Sequence, residues 1–175
     1  MDKVKQITKL VLEQVIKEVS MNRVLAHVNK TSDIESWGII TAFRGNFNKS
    51  DNLKRNKMLA TDIRNLGLGF IKLEGHWQEC QISDIPYEKC PNEDLIDAIE
   101  VSFFVPEIKY DDLVKLTKKY NQDASVYSGN EVKDEIYLLF KDGTKQKIAT
   151  KATPGKISQA FSKLKGKPFM FEYNL

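Results

Sequence analysis

Between residues 37 and 127 the hydrophobic period switches repeatedly from strand to helix and back, and the order of those switches constrains the fold most. Residues 37–43, Trp-Gly-Ile-Ile-Thr-Ala-Phe, are short, β-branched and mostly apolar, as in a buried strand. Ser50 then suits an N-cap and Asp51 a first helical turn. The helix is expected to run to about Leu66, with Leu59, Ala60, Ile63 and Leu66 on its apolar stripe and Gly67 as a left-handed C-cap. Residues 69–74 alternate like a half-buried strand, and Glu100 to Ile108 make another, centred on Val101–Val105. A short helix over 110–120 places Tyr110, Leu113, Leu116 or Thr117, and Tyr120 on one side, and Ala124 to Tyr127 close the series as a strand ended by Ser128-Gly129-Asn130. The order β-α-β-β-α-β is that of ferredoxin-like folds and predicts an α+β class with a mostly antiparallel sheet.

The flanks read differently. Residues 3–20 have the stripe of an amphipathic helix (Val4, Ile7, Val11, Val15), suited to packing on the domain or to holding an oligomer together. Residues 23–28 are a short apolar run of either type. The stretch 79–98, with Pro86, Pro91 and both cysteines, reads as a long irregular connection. Residues 135–140 and 145–149 flank Asp142-Gly143, the signature of a type I′ hairpin. Thr153-Pro154 is a helix start, the spacing of Ile157, Ala160, Phe161 and Leu164 continues the helix to Gly166, and 168–173 is a final strand. One domain over 1–175 is expected: a helical extension at 1–30, a core at 37–140 and a hairpin-helix-strand part at 141–175.

A chain of 175 residues, 41% hydrophobic and 29% charged, can bury a core and is neither disordered nor a bilayer spanner. No apolar run follows Met1–Lys5, so no secretory signal is read there, and a cytoplasmic or virion location is expected. The net charge of +3 is unevenly distributed. Residues 141–175 hold eight lysines against Asp142 and Glu172, and 74–112 hold eleven acids against two lysines. Lys145, Lys147, Lys151, Lys156, Lys163, Lys165 and Lys167 therefore form a candidate basic patch, opposed by the plain alternative of a solvated face.

The richest polar stretch, 44–57, joins a strand end to a helix start. Arg44, Asn48, Ser50, Asn52, Arg55 and Asn56 are the candidate anion-binding residues, because free backbone N–H groups and guanidinium groups there suit phosphate. The opposing reading is a capped surface helix with turn-forming asparagines. A second candidate group is Glu74, His76 and Glu100, with His76 as acid or base and a carboxylate orienting it. His76, Cys80 and Cys90 offer three metal-ligand types, but no Cys-x-x-Cys or His-x-x-x-His pair supports them, so two reduced thiols and no metal or cofactor are expected. Nucleotide-loop, nucleophile-elbow and zinc-protease motifs are absent from the sequence. Phe103 and Phe104 read as core rather than as a base-stacking platform.

Five motifs in order carry a resemblance: Ile39-Ile40-Thr41-Ala42-Phe43; Ser50 to Asn56 with Asn52, Arg55 and Asn56; Gly67 to Gly75; Glu100 to Val105; and Tyr120-Asn121-Gln122-Asp123-Ala124-Ser125-Val126-Tyr127. Over about 37–140 the chain resembles domain of unknown function 3293, a bacterial family with tailed-phage members, and is closer to the phage forms. The resemblance implies a small soluble α+β protein and supplies no catalytic residue. Together with the lysine-rich end, it leads to the expectation of a phage-type binding or structural protein, virion-associated or accessory. Its partners would be a phage or host protein or a nucleic acid. The alternative is an enzyme or sensor for a phosphorylated small molecule, acting through 44–56 with Glu74, His76 and Glu100.

Overall fold

The computed structural model describes residues 22–29, 33–80, 89–132, 135–154, 160–164 and 167–172. Among the described residues nine strands form a single sheet: β1 Ser36–Thr41, β2 Ile71–Cys80, β3 Leu95–Pro106, β4 Ala124–Gly129, β5 Ile136–Phe140, β6 Lys145–Ala149, β7 Lys151–Pro154, β8 Ala160–Leu164 and β9 Lys167–Glu172. Their order is β6-β5-β4-β1-β3-β2-β8-β9-β7, and every recorded pairing is antiparallel. Helix α1 spans Lys49–Asn65 and helix α2 spans Tyr110–Lys119. The class is mixed α+β, as expected.

β1 sits inside the sheet and is buried on both faces. Ile40 packs with Leu59, Ala60 and Ile63 of α1 and Leu113 and Leu116 of α2, together with Phe103, Val105, Tyr127 and Leu139. Trp37 and Ile39 pack on the other face with Leu73, Phe104, Ile136 and Ala149 and with Val24 and Val28 from the helical segment 22–28. The alternation of β3 divides Phe103 from Phe104 in the same way, and both are core as read from the sequence. Gly38 lets α2 approach the sheet: a β-carbon there would lie 2.8 Å from Leu113 Cδ2 and 3.0 Å from Ile108 Cγ2.

The sheet bends back on itself. Flat, its edge strands β6 and β7 would stand about 38 Å apart at the usual strand spacing. Yet Thr150 alone separates Ala149 from Lys151, a step of about 7 Å at most. Residues from β6 to β2 gather around Val24 and Val28, which places 22–28 on the inside of the bend.

Several expectations need correction. Of the helix expected from Thr153 to Gly166, the described residues are strands: Lys151–Pro154 pairs with β9, and Ala160–Leu164 pairs with β2 and β9. Sheet pairing there overrides a helical spacing that local pattern alone favoured. The irregular connection is shorter than read, because β2 continues through His76 to Cys80 and β3 begins at Leu95. Residues 23–28 are helical. Asn48, not Ser50, is the N-cap of α1, its Oδ1 accepting from the Asp51 N–H at 2.9 Å. β4 runs on through Gly129. The β5–β6 turn is not type I′, which needs positive φ at both central residues: Gly143 has φ +87°, and Asp142 is not among the positive-φ residues. Phe140 and Thr144 instead close a three-residue loop, Phe140 N–H donating to Thr144 O at 2.9 Å. Gly67 does take the left-handed conformation expected, at φ +78°. The amphipathic stretch 3–20 lies outside the described residues.

Candidate functional site

The loop after β1 is tied to α1 by side chains projecting from the helix. Asn56, 4% exposed, lies one turn beyond Asn52 on the side that faces the sheet. Its Oδ1 accepts from the Ala42 N–H at 2.7 Å and its Nδ2 donates to Val101 O at 2.6 Å. One amide thus joins the end of β1 to the middle of β3. Thr41 Oγ1 donates to the same Val101 carbonyl at 2.8 Å. Asn52 encloses the loop itself: its Oδ1 accepts from Arg44 N–H at 2.9 Å, and its Nδ2 donates to Arg44 O and Phe47 O at 3.0 and 3.1 Å.

Arg55 extends the tie to the far end of α2. Its Nε donates to Ala42 O at 2.8 Å and an Nη to Tyr120 O at 2.5 Å, while the guanidinium lies 4.8 Å above the Phe47 ring. Gln122 Nε2 donates to Phe43 O at 3.0 Å. Arg44 pairs with Asp123 at 3.0 Å, and Lys141 approaches the other oxygen of Asp123 at 3.5 Å. Of the residues read as anion ligands, Asn52, Arg55 and Asn56 direct their hydrogen bonds at backbone carbonyls and amides, Arg44 is paired with Asp123, Asn48 caps α1 and donates to Asp51, and Ser50 is exposed in the first turn of α1.

Beside this knot, Tyr120 donates to Asp62 Oδ2 at 2.5 Å, and Lys119 pairs with the same oxygen at 2.7 Å. Burial pushes the Asp62 carboxyl up, but the bonds from Lys119 and Tyr120 outweigh it and hold it below the usual carboxylate range. Burial, then the Asp62 bond, pushes the Tyr120 phenol far above its usual range. Sequence reasoning missed this group, together with Thr41 and Gln122. Its members lie far apart in the chain, and the partners of Thr41 and Gln122 are backbone carbonyls, which no residue-type motif records.

The second candidate group is not brought together. Glu74 pairs with Val101 across β2 and β3, whereas Glu100 pairs with Gly75. Because successive positions alternate, Glu74 and Glu100 lie on opposite faces of the sheet. Glu74 is exposed on the side of the helices, and Glu100 is half-buried. His76 sits within β2, opposite Ile99, rather than in a loop at a strand end. Cys90 is disulfide-bonded, which corrects the expectation of reduced thiols.

A shallow depression of about 310 Å³ adjoins the Arg44–Asp123 pair, lined by Asp123, Phe140, Lys141, Asp142 and Thr144. Two carboxylates in that lining oppose a phosphate. Asp142 also accepts from Thr144 N–H and Oγ1 at 2.8 and 2.6 Å, which hold its carboxyl below the usual range.

The candidate basic patch is divided in the sheet order. Lys145 and Lys147 lie on β6 at one end; Lys147 pairs with Glu135 at 2.5 Å and Lys145 lies 5.6 Å above the Tyr137 ring. Lys151, Lys163 and Lys167 belong to β7, β8 and β9 at the other end of that order, which the bend of the sheet brings back towards β6. Lys156 and Lys165 lie outside the described residues. Among the described residues, no helix is long and apolar enough to cross a membrane. No family model matches the chain, and no curated protein matches it.

Proposed function

We propose that this chain is a small binding protein of phage type, virion-associated or accessory, that works through surface contacts with a protein or nucleic-acid partner rather than by catalysis. One observation carries the reading. Four of the five motifs by which the chain resembles domain of unknown function 3293 bond to one another through Asn56, Arg55, Thr41 and Gln122. A motif set of that kind supports a scaffold, and it leaves function to the surfaces the scaffold presents. The strand order β4-β1-β3-β2, with helices crossing between β1 and β2 and between β3 and β4, supports reading the scaffold as ferredoxin-like.

Thermal-shift measurements with a panel of nucleotides, sugar phosphates and inorganic phosphate test the choice between binding protein and small-molecule enzyme. The proposal expects no shift in melting temperature from any of them. A shift of several degrees that disappears in Arg44→Ala would instead favour the phosphorylated-ligand alternative. Mass spectrometry of purified particles of the encoding phage decides between virion component and accessory factor.

A further inference from the structure

We infer that the outer surface of the α1–α2 layer binds the phosphate backbone of a nucleic acid. The inference rests on the binding-protein reading and names its surface and partner. The two helices together carry eight Lys and Arg against four Asp, five against two on α1 and three against two on α2. The arrangement matters more than the sum. The buried side of α1 is marked by Asn52, Asn56, Leu59, Ala60 and Ile63. At 3.6 residues per turn, Asp51 and Asp62 fall on the flank of α1 towards α2, Lys54 and Lys57 fall on the arc facing solvent, and Arg64 lies on the opposite flank, exposed but with its guanidinium 4.9 Å above the Phe70 ring. Both α1 acids are already engaged, Asp62 by Lys119 and Tyr120 and Asp51 by Lys54 at 3.1 Å. The solvent arc of α1 carries Lys54 and Lys57 with Ser50, Thr61, Asn65 and the exposed Met58, and its nearest carboxylate, Asp51, is the one paired with Lys54.

α2 adds Lys115, Lys118 and Lys119 to the same layer, all exposed, with the exposed Asp111 between Lys115 and Lys118 and with Lys119 already on Asp62. Lys115 is paired with Asp112 at 3.3 Å, but Lys57 and Lys118 have no ion pair among the described residues. Lys54 to Arg64 spans about 15 Å of helix axis, the length over which one strand of a duplex presents about four phosphates. Distributed cations with hydroxyl and amide groups between them match a repeating polyanion better than a single anion, which needs convergent donors. The opposite face of the sheet is covered over its centre by 22–28.

Fluorescence anisotropy of the full chain with a labelled duplex tests the assignment. With four of these cations on phosphates, affinity should fall about a hundredfold between about 50 and 200 mM salt. Lys57→Glu combined with Lys118→Glu should weaken low-salt binding about tenfold or more and reduce the salt slope by about two. Circular dichroism should be unchanged and the melting temperature should fall by only a few degrees, since Lys57 has no ion pair among the described residues, while Lys118 lies near Asp142 and in the last turn of α2. Lys145→Glu with Lys147→Glu, on β6, should leave the binding within about twofold. Absence of binding by the wild-type chain at low salt overturns the assignment, as does binding lost in the β6 variant and kept in the helix variant. Either result leaves the binding-protein reading to a protein partner, which the small-molecule thermal shifts address separately.

Discussion

Replacing Asn56 by alanine separates a structural asparagine from a ligand-binding one. The substitution removes the acceptor of the Ala42 N–H and one of two donors to Val101 O. Ala42 is fully buried, so its amide gains no water in exchange, an orphaning that costs about 1–3 kcal/mol. The Val101 carbonyl keeps Thr41, so the second loss is only that of an ordinary hydrogen bond, about 0.5–1.5 kcal/mol. The expected total is about 2–4 kcal/mol, a shift of one or two molar in the urea midpoint at a typical slope for small proteins. Equilibrium urea unfolding followed by tryptophan fluorescence measures it, since Trp37 is buried in the core beside β1. Asn56→Asp should be worse at neutral pH, because a carboxylate would face the Val101 carbonyl, and should recover partly in acid as that group protonates. A ligand-binding asparagine behaves in the opposite way: its removal leaves stability unchanged or improved. An Asn56→Ala protein within about 0.5 kcal/mol of the wild type would refute the latch.

Gly38→Ala should destabilise by about 1–3 kcal/mol in the same urea assay, because its β-carbon meets Leu113 and Ile108 inside a packed core; a neutral result would mean that α2 shifts freely. Asp62 has a lowered pKa, so its contribution is present above the usual carboxylate range and is lost as pH falls through its folded value. The stability gap between wild type and Asp62→Asn should therefore narrow on acidification, and a gap independent of pH would count against the Lys119–Tyr120 clamp. His27 stacks on Phe104 with ring centroids 5.9 Å apart. Burial first, then Arg23, lowers its pKa against the opposing pull of Glu107. Its neutral form should stabilise the fold above pH 6.5 and do so progressively less as pH falls towards its folded pKa. An NMR titration of the ring should give a midpoint below 6.5, and a higher one would contradict this environment.

The core was legible because its strands and helices keep their periods without interruption. Ile39, Ile40, Phe103, Phe104 and, on α1, Leu59, Ala60 and Ile63 read in sequence as they pack, whereas Leu66, read on the same stripe, is the exposed C-cap. The C-terminal part was not, since Ile157, Ala160, Phe161 and Leu164 carry a helical spacing while β8 is held by β2 and β9, partners distant in sequence. The extent of β2 and β3 was missed for a related reason: Gly75 punctuates a strand that its pairing with Glu100 continues. The polar segment 44–57 was recognised as special from composition. Its role was hidden because the partners of Asn52, Asn56 and Arg55 are backbone groups, which composition does not record. The basic residues of the helix layer escaped notice because they are interspersed with acids in sequence, and only helical geometry sorts them onto different sides.

Amide chemical-shift mapping on titration with a short duplex tests the account most directly, because it reads both surfaces at once. The account predicts salt-sensitive shifts over the exposed positions of α1 and α2, centred on Lys54, Lys57 and Lys118, with Ala42, Arg44 and Asn56 unmoved. Shifts centred on residues 42–56 with inorganic phosphate or a nucleotide, and a silent helix surface with the duplex, would contradict it.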